Sequence, residues 1–292
     1  MTAPYKRIHV IINPASGKNE PILNVINDVC AKYNVQWDAT VTHKYGDATA
    51  QARAAIAAGV DLVAGYGGDG TQHEVANAIL SSPRQVPLAI LPGGTGNGFC
   101  RENGVPDELE AAAELMCISA NLRHVDAVKL GDGFFIQRLY TGVEPEQQTS
   151  REMKERYGVL AYPMTVRQQV KEMIEAAYRL TIDGEVIERR GTRCYVVNSG
   201  MTGRGITASA DFSATDGMLD VFLLKRDLAH VEAVAQRFLN VDRPGAGLDY
   251  WRCREITIES DPDRPVWTDG EYTGRTPVTA SVLPGALRVI VP

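Results

Sequence analysis

The chain has 292 residues, enough for one large domain or two modest ones with real cores. Its hydrophobic share of 44% and charged share of 23% are those of an ordinary soluble globular protein. A formal net charge of −6 removes any overall argument for nucleic-acid binding or for general attraction to an anionic membrane, so any lipid contact has to be local.

The chain opens with "MTAPYKRIHVIINP", whose short apolar run is interrupted by His9 and Asn13. That run is too short for a signal peptide or a membrane span and reads as a first strand over 7–13. A regular alternation follows: helix 21–33, strand 35–42, helix 47–59, strand 61–66, helix 71–82, strand 86–92 and helix 107–119. Apolar strands alternating with helices predict a parallel sheet covered on both faces, with ligands at the C-terminal strand ends. From about 125 the rhythm changes. "YRLTIDGEVIERRG" is a hairpin around Asp183-Gly184, and "TRCYVVNSG", "LDVFLLKR", "WRCREITIES", "RPVWTDGEYTG", "VTASVLPG" and "ALRVIVP" read as further strands. Helical patterns interrupt them at 151–177 and 227–239. The predicted fold class is an α/β N-terminal domain, 1–125, followed by a β-rich antiparallel sandwich domain, 126–292.

Cys30, Cys100, Cys117, Cys194 and Cys253 form no C-x-x-C pair, and their number is odd. Reduced, mostly buried thiols fit this better than a disulfide framework or a zinc site, which places the protein in the cytosol. The five histidines show no metal-ligand spacing.

Three glycine-bearing loops each follow a strand of the first half: "NPASGK" at 13–18, "GYGGDGT" at 65–71 and "LPGGTGNG" at 91–98. The predicted sheet brings all three to one edge. Glycine lets backbone approach closely, and exposed amides before a helix N-terminus cradle phosphate. "NPASGK" lacks the upstream glycine and the hydroxyl residue after Lys18 that a P-loop needs. "GYGGDG" fits G-x-G-x-x-G, but no acid ends the next strand, and a pyrophosphate would repel Asp69. Asp69 fits an ATP site better, either accepting hydrogen bonds from loop amides or meeting phosphate-bound Mg²⁺. Lys18 and Arg101 are phosphate-contact candidates. Thr71 and Glu74 fit a capping box for the helix that follows.

"INPASGK", "GGDGTQHEV" and "LPGGTGNGFCRENGVP" resemble the catalytic domain of the diacylglycerol kinase, sphingosine kinase and bacterial lipid kinase family, which is related to NAD kinases. The resemblance continues through "YGVLAY" (157–162), "NSG…GRGITASADFSATDGMLDVFLL" (198–224), "WTDGE" (267–271) and "LPGALRVIVP". It covers nearly the whole chain in order, and GGDGT, DG-x-LDV and DGE together are far more specific than any one of them. It implies a two-domain kinase using ATP and Mg²⁺. By that resemblance Asn13, Pro14, Ser16, Gly17, Lys18, Gly67, Gly68, Asp69, Gly70, Thr71 and Glu74 belong to the first two nucleotide loops and Gly94, Thr95 and Asn97 to the third, with Asp269 also a cofactor-binding residue. Glu271 of DGE is the implied general base, Asp69 the catalytic loop acid, and Asp269 precedes the base in its own turn. Asp126, Asp216 and Asp220 are the implied acidic, metal-binding network.

The chain departs from the family at Gly98, where bacterial diacylglycerol kinases carry aspartate in G-T-x-N-D. "GVEP" (142–145) replaces G-x-D-A, with Glu144 at the acidic position and a backbone-fixing proline after it. Ser209-Ala210 replaces Pro-x-Ala. The expected partner is a lipid at the membrane surface, with no nucleic acid and no transmembrane segment, so a cytoplasmic enzyme makes transient membrane contact. The mixed aromatic, apolar and basic stretch 151–177 is either a docking helix or a half-buried one. The α/β half offers surface for a homodimer, with nothing in the sequence fixing the oligomeric state. The alternatives are a soluble-metabolite kinase of the NAD kinase type and a non-catalytic nucleotide-binding regulator.

Overall fold

The protein is described by a computed structural model that covers residues 3–16, 20–142, 175–199, 201–202, 206–207, 212–225 and 248–292. The helical patterns at 151–177 and 227–239 fall outside these residues, apart from 175–177, as do "YGVLAY", Glu144, Pro145, Ser209 and Ala210.

In the first half β1 (Arg7–Ile12), β2 (Gln36–Val41), β3 (Leu62–Gly67) and β4 (Leu88–Pro92) lie in the order 2-1-3-4, all parallel. Between them run α1 (Ile22–Lys32), α2 (Asp47–Ala57) and α3 (Asp69–Leu80), followed by α4 (Gly98–Glu102) and α5 (Leu109–Ile118). The chain moves one way from β1 to β2 and the other way thereafter. Right-handed crossovers therefore put α1 on one face, against α5, and α2 and α3 on the other. β3 is buried at every position, as a strand covered on both faces must be. Ile12 pairs with Tyr66, and Gly67 with Pro92, so the loops after β1, β3 and β4 leave the sheet along one edge as expected.

The second half contains β5 (Leu122–Leu130), β6 (Gly133–Phe135), β7 (Arg138–Thr141), β8 (Ala176–Ile182), β9 (Glu185–Gly191), β10 (Arg193–Val197), β11 (Met201–Thr202) and β12 (Ile206–Thr207). It continues with β13 (Leu219–Leu224), β14 (Leu248–Cys253), β15 (Glu255–Asp261), β16 (Pro265–Thr268), β17 (Glu271–Arg275) and β18 (Val278–Ile290). A six-stranded antiparallel sheet in the order β14-β13-β10-β7-β16-β17 packs on strands β8, β15, β5 and the first part of β18. Leu139, Val196, Val221, Leu180 and Ile258 are fully buried between these layers. The antiparallel sandwich is thus as predicted. The β8–β9 hairpin turns at Asp183 and Gly184, both with positive φ, as a tight primed turn requires.

Three strand assignments change. "WRCREITIES" divides between β14 and β15, and "RPVWTDGEYTG" is a hairpin of β16 and β17. "VTASVLPG" and "ALRVIVP", read as two strands, form the single 13-residue β18. Its register against β5 shifts between Leu283 and Leu287, where Gly285 takes a positive φ, so the strand bends without ending.

β18 joins the two halves. Its first residues pair with β15, Val289 pairs in parallel with Leu88 of β4, and β5 runs along most of its length. Ala280 and Val282 belong to the sandwich core, whereas Leu287, Val289 and Ile290 belong to the α/β core. The two cores therefore share one continuous sheet. Leu287 is fully buried, and Leu287→Ala is expected to cost about 2–5 kcal/mol by the cavity it leaves. Because the strand spans both cores, denaturant unfolding followed by fluorescence and by circular dichroism should shift together for this variant. A shift in one signal only would mean that the halves unfold independently.

Candidate active site

The loops after β1, β3 and β4 meet at the sheet edge by backbone contact. A Cβ on Gly94 would lie 2.5 Å from Gly68 Cα, and one on Gly67 would lie 2.3 Å from Thr71 Oγ1. Only Gly70, of the glycines in "GGDG", faces open space. The sequence reading had these glycines making room for phosphate. The structure gives Gly67, Gly68 and Gly94 a nearer reason: the two loops must touch, and Thr71 folds back over its own loop. Asn13 completes the junction, donating from Nδ2 to Thr71 Oγ1 at 3.0 Å and accepting from the Ala15 amide at 3.0 Å. Asn97 takes a left-handed conformation, φ 49°, and its side-chain oxygen accepts from the Gly94 amide at 3.0 Å.

Asp69 joins the second loop to the third. Its carboxylate accepts the Gly98 amide at 3.1 Å, the Phe99 amide at 3.0 Å and Gln137 Nε2 at 3.3 Å. Of the two roles open to it in the sequence, the amide-accepting one is seen. Gly98 thus fills the family's aspartate position as the amide donor that Asp69 holds.

The capping box does not form. α3 starts at Asp69 with Gly68 as its N-cap, so Thr71 is already inside the helix. Glu74 instead reaches the neighbouring helix, accepting the Gly46 amide at 2.9 Å and the Ala48 amide at 3.1 Å at the start of α2. Carboxylates favour helix N-termini, and the α2–α3 packing brings a different N-terminus within reach.

A cleft of 380 Å³ opens beside these loops, lined by Ser16, Gly94, Thr95, Asn97, Arg101, Asp107 and Glu108. The Ser16 hydroxyl is buried there without a partner among the described residues. Pro14 sits in the 3-10 turn Pro14–Ser16 that brings Ser16 to the cleft. Arg101 bonds the Gly96 carbonyl at 2.5 Å and pairs with Asp107 at 3.3 Å, so it is a loop-bracing cation as well as a cleft residue. An orphaned hydroxyl, a glycine open to solvent and a helix N-terminus are features a nucleotide's phosphates fit. Gly17 and Lys18 lie outside the described residues.

The DGE turn enters from the other half. Asp269 and Gly270 both have positive φ, 50° and 97°, and make the tight link between β16 and β17. The Asp269 carboxylate accepts four hydrogen bonds: from the amides of Ile136 at 2.9 Å, Gln137 at 2.9 Å and Arg138 at 2.8 Å, and from His73 Nδ1 at 2.8 Å. His73 lies on α3, with Asn77 Nδ2 3.3 Å from its other ring nitrogen. The side chains of His73 and Asp269 are 8% and 1% exposed, so this pair ties the two halves inside the protein. Glu271 follows at the first position of β17, half-buried, with no hydrogen-bond or ion-pair partner among the described residues. Its charge reaches His73, Tyr45 and Tyr140. Sequence reasoning missed His73; the signal available was a histidine on the helix that leaves a glycine loop.

The acids of the expected metal network are engaged with protein donors. Asp126 is 1% exposed, and its carboxylate is occupied by the amides of Gly217 and Gly285, each at 2.7 Å. Asp216 bonds Arg252 at 2.5 Å, and Asp220 accepts from Tyr250 at 2.5 Å and lies 3.5 Å from Arg252. Among the described residues no three His, Cys, Asp or Glu side chains gather as a metal site. The acids do lie near one another, but a guanidinium and backbone amides answer them, so these three do not fit as a protein-held set of ligands for Mg²⁺. All five cysteines are buried free thiols, as the sequence indicates.

Comparison with known proteins matches residues 7–130 to the diacylglycerol kinase catalytic domain and residues 137–291 to the YegS C-terminal NAD kinase β-sandwich-like domain. A Staphylococcus saprophyticus protein named diacylglycerol kinase is 27% identical over 281 residues, covering 93% of this chain and 91% of its own. One of the same name from Staphylococcus aureus is 27% identical over 296 residues, covering 98% and 93%. A crystal structure of a candidate diacylglycerol kinase from Bacillus anthracis superposes with a TM-score of 0.86 at 27% identity, covering 100% of this chain and 99% of that one. Another from the same organism gives 0.84 at 26%, with the same coverage.

Two predictions follow from this geometry. Gly94→Ala must push the two loops apart and is expected to cost about 1–3 kcal/mol in thermal unfolding; an unchanged melting temperature would mean the loops do not touch. The second concerns pH. Burial acts to raise the Asp269 carboxyl, but the His73 bond and charge and the Ile136 and Arg138 amides outweigh it and hold it below the ordinary 3.8. Burial acts to lower His73, but the Asp269 bond and charge, then Glu271 and Glu74, outweigh it and raise it above the ordinary 6.5. The His73 contribution to stability is therefore complete below pH 6.5 and is lost as pH rises through the higher folded value. The Asp269 contribution is complete above 3.8 and is lost as pH falls through the lower folded value. Denaturant midpoints of the wild type should fall from about pH 6 to about pH 9 more steeply than those of His73→Gln; parallel curves would rule out a charged pair.

Proposed function

Since the chain belongs to the family that joins a diacylglycerol kinase catalytic domain to a YegS C-terminal β-sandwich-like domain, we propose that it is a lipid kinase that moves the γ-phosphate of ATP onto the hydroxyl of a lipid alcohol. The observation that carries this reading is the unpaired Glu271 carboxylate, held by the Asp269 turn against the helix that begins at the nucleotide loops. Asp69, Asp126, Asp216 and Asp220 are all committed to protein donors. Of the five motif acids named here, Glu271 is the one with no protein donor among the described residues, which leaves it to accept a proton.

An alcohol is a poor nucleophile at neutral pH, and a carboxylate on its hydroxyl proton assists attack. Bound ATP would supply the phosphoryl group. Ser16, the Gly70 region and the start of α3 would hold its phosphates through a hydroxyl, backbone amides and the helix N-terminus. Asp69 acts as a positioning residue, fixing the third loop against the second. Asp269 and His73 set the distance between that platform and Glu271. No helix among the described residues is long and apolar enough to cross a membrane. In this proposal the lipid is therefore met at the membrane surface from the cytosol, and the relatives' names put diacylglycerol first among acceptors to try.

The test is transfer of labelled γ-phosphate from ATP to a panel of lipid alcohols in mixed micelles, with NAD as a soluble control acceptor. Glu271→Gln is expected to lower kcat by about 10²–10⁴-fold with ATP affinity retained. Label on NAD in place of lipid would move the protein to the soluble-metabolite kinases. ATP binding without transfer to any acceptor would identify a non-catalytic regulator.

A further inference from the structure

One face of α3 crosses the junction between the two halves. Asp69, His73 and Asn77 are spaced four apart, so their side chains stand one turn above another. All three end on one stretch of the second half or on the turn that this stretch holds. Gln137 Nε2 donates to Asp69 Oδ1 at 3.3 Å. His73 Nδ1 meets Asp269 Oδ2 at 2.8 Å. Asn77 Nδ2 donates to the Phe134 carbonyl at 2.7 Å, and its Oδ1 accepts the Phe134 amide at 2.9 Å.

The three rungs are not equal. Asn77 grips β6 at two points, and His73 meets a carboxylate that three amides already hold. The Gln137 rung is the longest and lies at the end where α3 begins. Gln137 is 6% exposed, and its backbone is tied within its own half. Its amide donates to Asp269 Oδ1 at 2.9 Å, and its carbonyl accepts the amides of Asn198 at 2.8 Å and Ser199 at 3.2 Å. Among the described residues it is the one that donates to both Asp69 and Asp269. Its side chain reaches the acid that staples the glycine loops, and its main chain reaches the acid that holds the Glu271 turn.

A phosphate at the start of α3 carries the same sign of charge as Asp69, and like charges at short range repel. The carboxylate answers by drawing closer to its donors. The Gly98 and Phe99 amides belong to the third loop, so Gln137 is the donor that lies in the other half. Hydrogen bonds to an ionised acceptor are roughly twice as strong as neutral ones. A tighter bond to Asp69 restrains the Gln137 side chain against its own backbone, and so stiffens the amide that Asp269 accepts.

We propose that Gln137 is a positioning residue that couples filling of the glycine loops to the Glu271 turn, so that the base is held most firmly when the nucleotide is in place. This rests on the kinase reading above and adds the route by which the two sides of its site communicate.

Hydrogen–deuterium exchange reads that coupling without any transfer. Saturating ATP is added to wild type and to Gln137→Met, which removes the side-chain donor and leaves the backbone amide. Exchange is compared with and without ATP over 134–138 and 266–273. Wild type is expected to slow about 10-fold there when ATP binds. Gln137→Met is expected to lose that slowing while its calorimetric affinity for ATP stays within about threefold of wild type. In transfer assays the same variant should lower kcat about 10-fold at an unchanged KM for ATP, a split that a general loss of stability does not give. No slowing in wild type with ATP bound, or slowing that persists in Gln137→Met, would overturn the proposal. A larger loss of ATP affinity in the variant would overturn it too, by making Gln137 part of the nucleotide site. Absence of transfer by wild type, with the exchange result as expected, would sink the kinase reading alone, and a wild type that binds no ATP would sink both. Should Gln137→Met fail to fold, Gln137→Asn, one methylene shorter, serves in the same measurements, and undiminished slowing in that variant would count against the proposal.

Discussion

One buried carboxylate organises the site. Asp269 sits in a two-residue turn whose backbone is left-handed at both positions, and it collects three consecutive amides from the strand entry at 136–138 and one imidazole from α3. Each donor answers part of the cost of holding a charge inside the protein; together they make the arrangement rigid, since removing any one leaves a buried group unsatisfied. Glu271, two residues on, inherits that rigidity without a hydrogen-bond or ion-pair partner of its own among the described residues. In the proposed mechanism an acid that must stay free to take a proton cannot be held by its own oxygens, and here the turn is held by its neighbour's.

The three glycine loops solve a related problem by subtraction. Gly68 and Gly94 touch, and Asp69 bridges from one loop to the amides that begin α4. Close backbone packing and a carboxylate staple fix three loops that belong to three different strands. The same division runs through the other acids: Asp126 staples the Gly217 turn and the Gly285 bend, and Asp216 and Asp220 share Arg252. Acids that look alike in the sequence differ in whether their lone pairs are already used. Arg193 is the reverse case, a buried cation that gives Nη1 to the Tyr195 hydroxyl while its Nε and Nη2 have no partner among the described residues.

Much of this was legible in the residues. The four parallel strands, the switch to antiparallel sheet, the Asp183-Gly184 hairpin and the gathering of three loops at one edge all follow from local patterns: apolar runs, period and turn chemistry. The proposal of Glu271 and Asp269 as site residues came from a motif. What each acid does there was not legible. The Thr71–Glu74 capping box is the clearest instance, because the local pattern was sound and the helix simply began two residues earlier, freeing Glu74 for α2. The single strand β18 is another: Pro284 and Gly285 read as a break, but pairing with β5 on both sides of the bend carries the strand through.

The sequence by itself determined which segments form strands and helices and which loops carry glycine, because those depend on side-chain period and on backbone freedom within a few residues. Only the tertiary structure decided which of the motif carboxylates are spent on donors among the described residues, that His73 meets Asp269 across 196 positions of chain, and that Arg193 lies buried beside Tyr140. Those outcomes depend on partners brought together by strand order and register, and a hydrogen bond between distant residues leaves no mark on the sequence near either one.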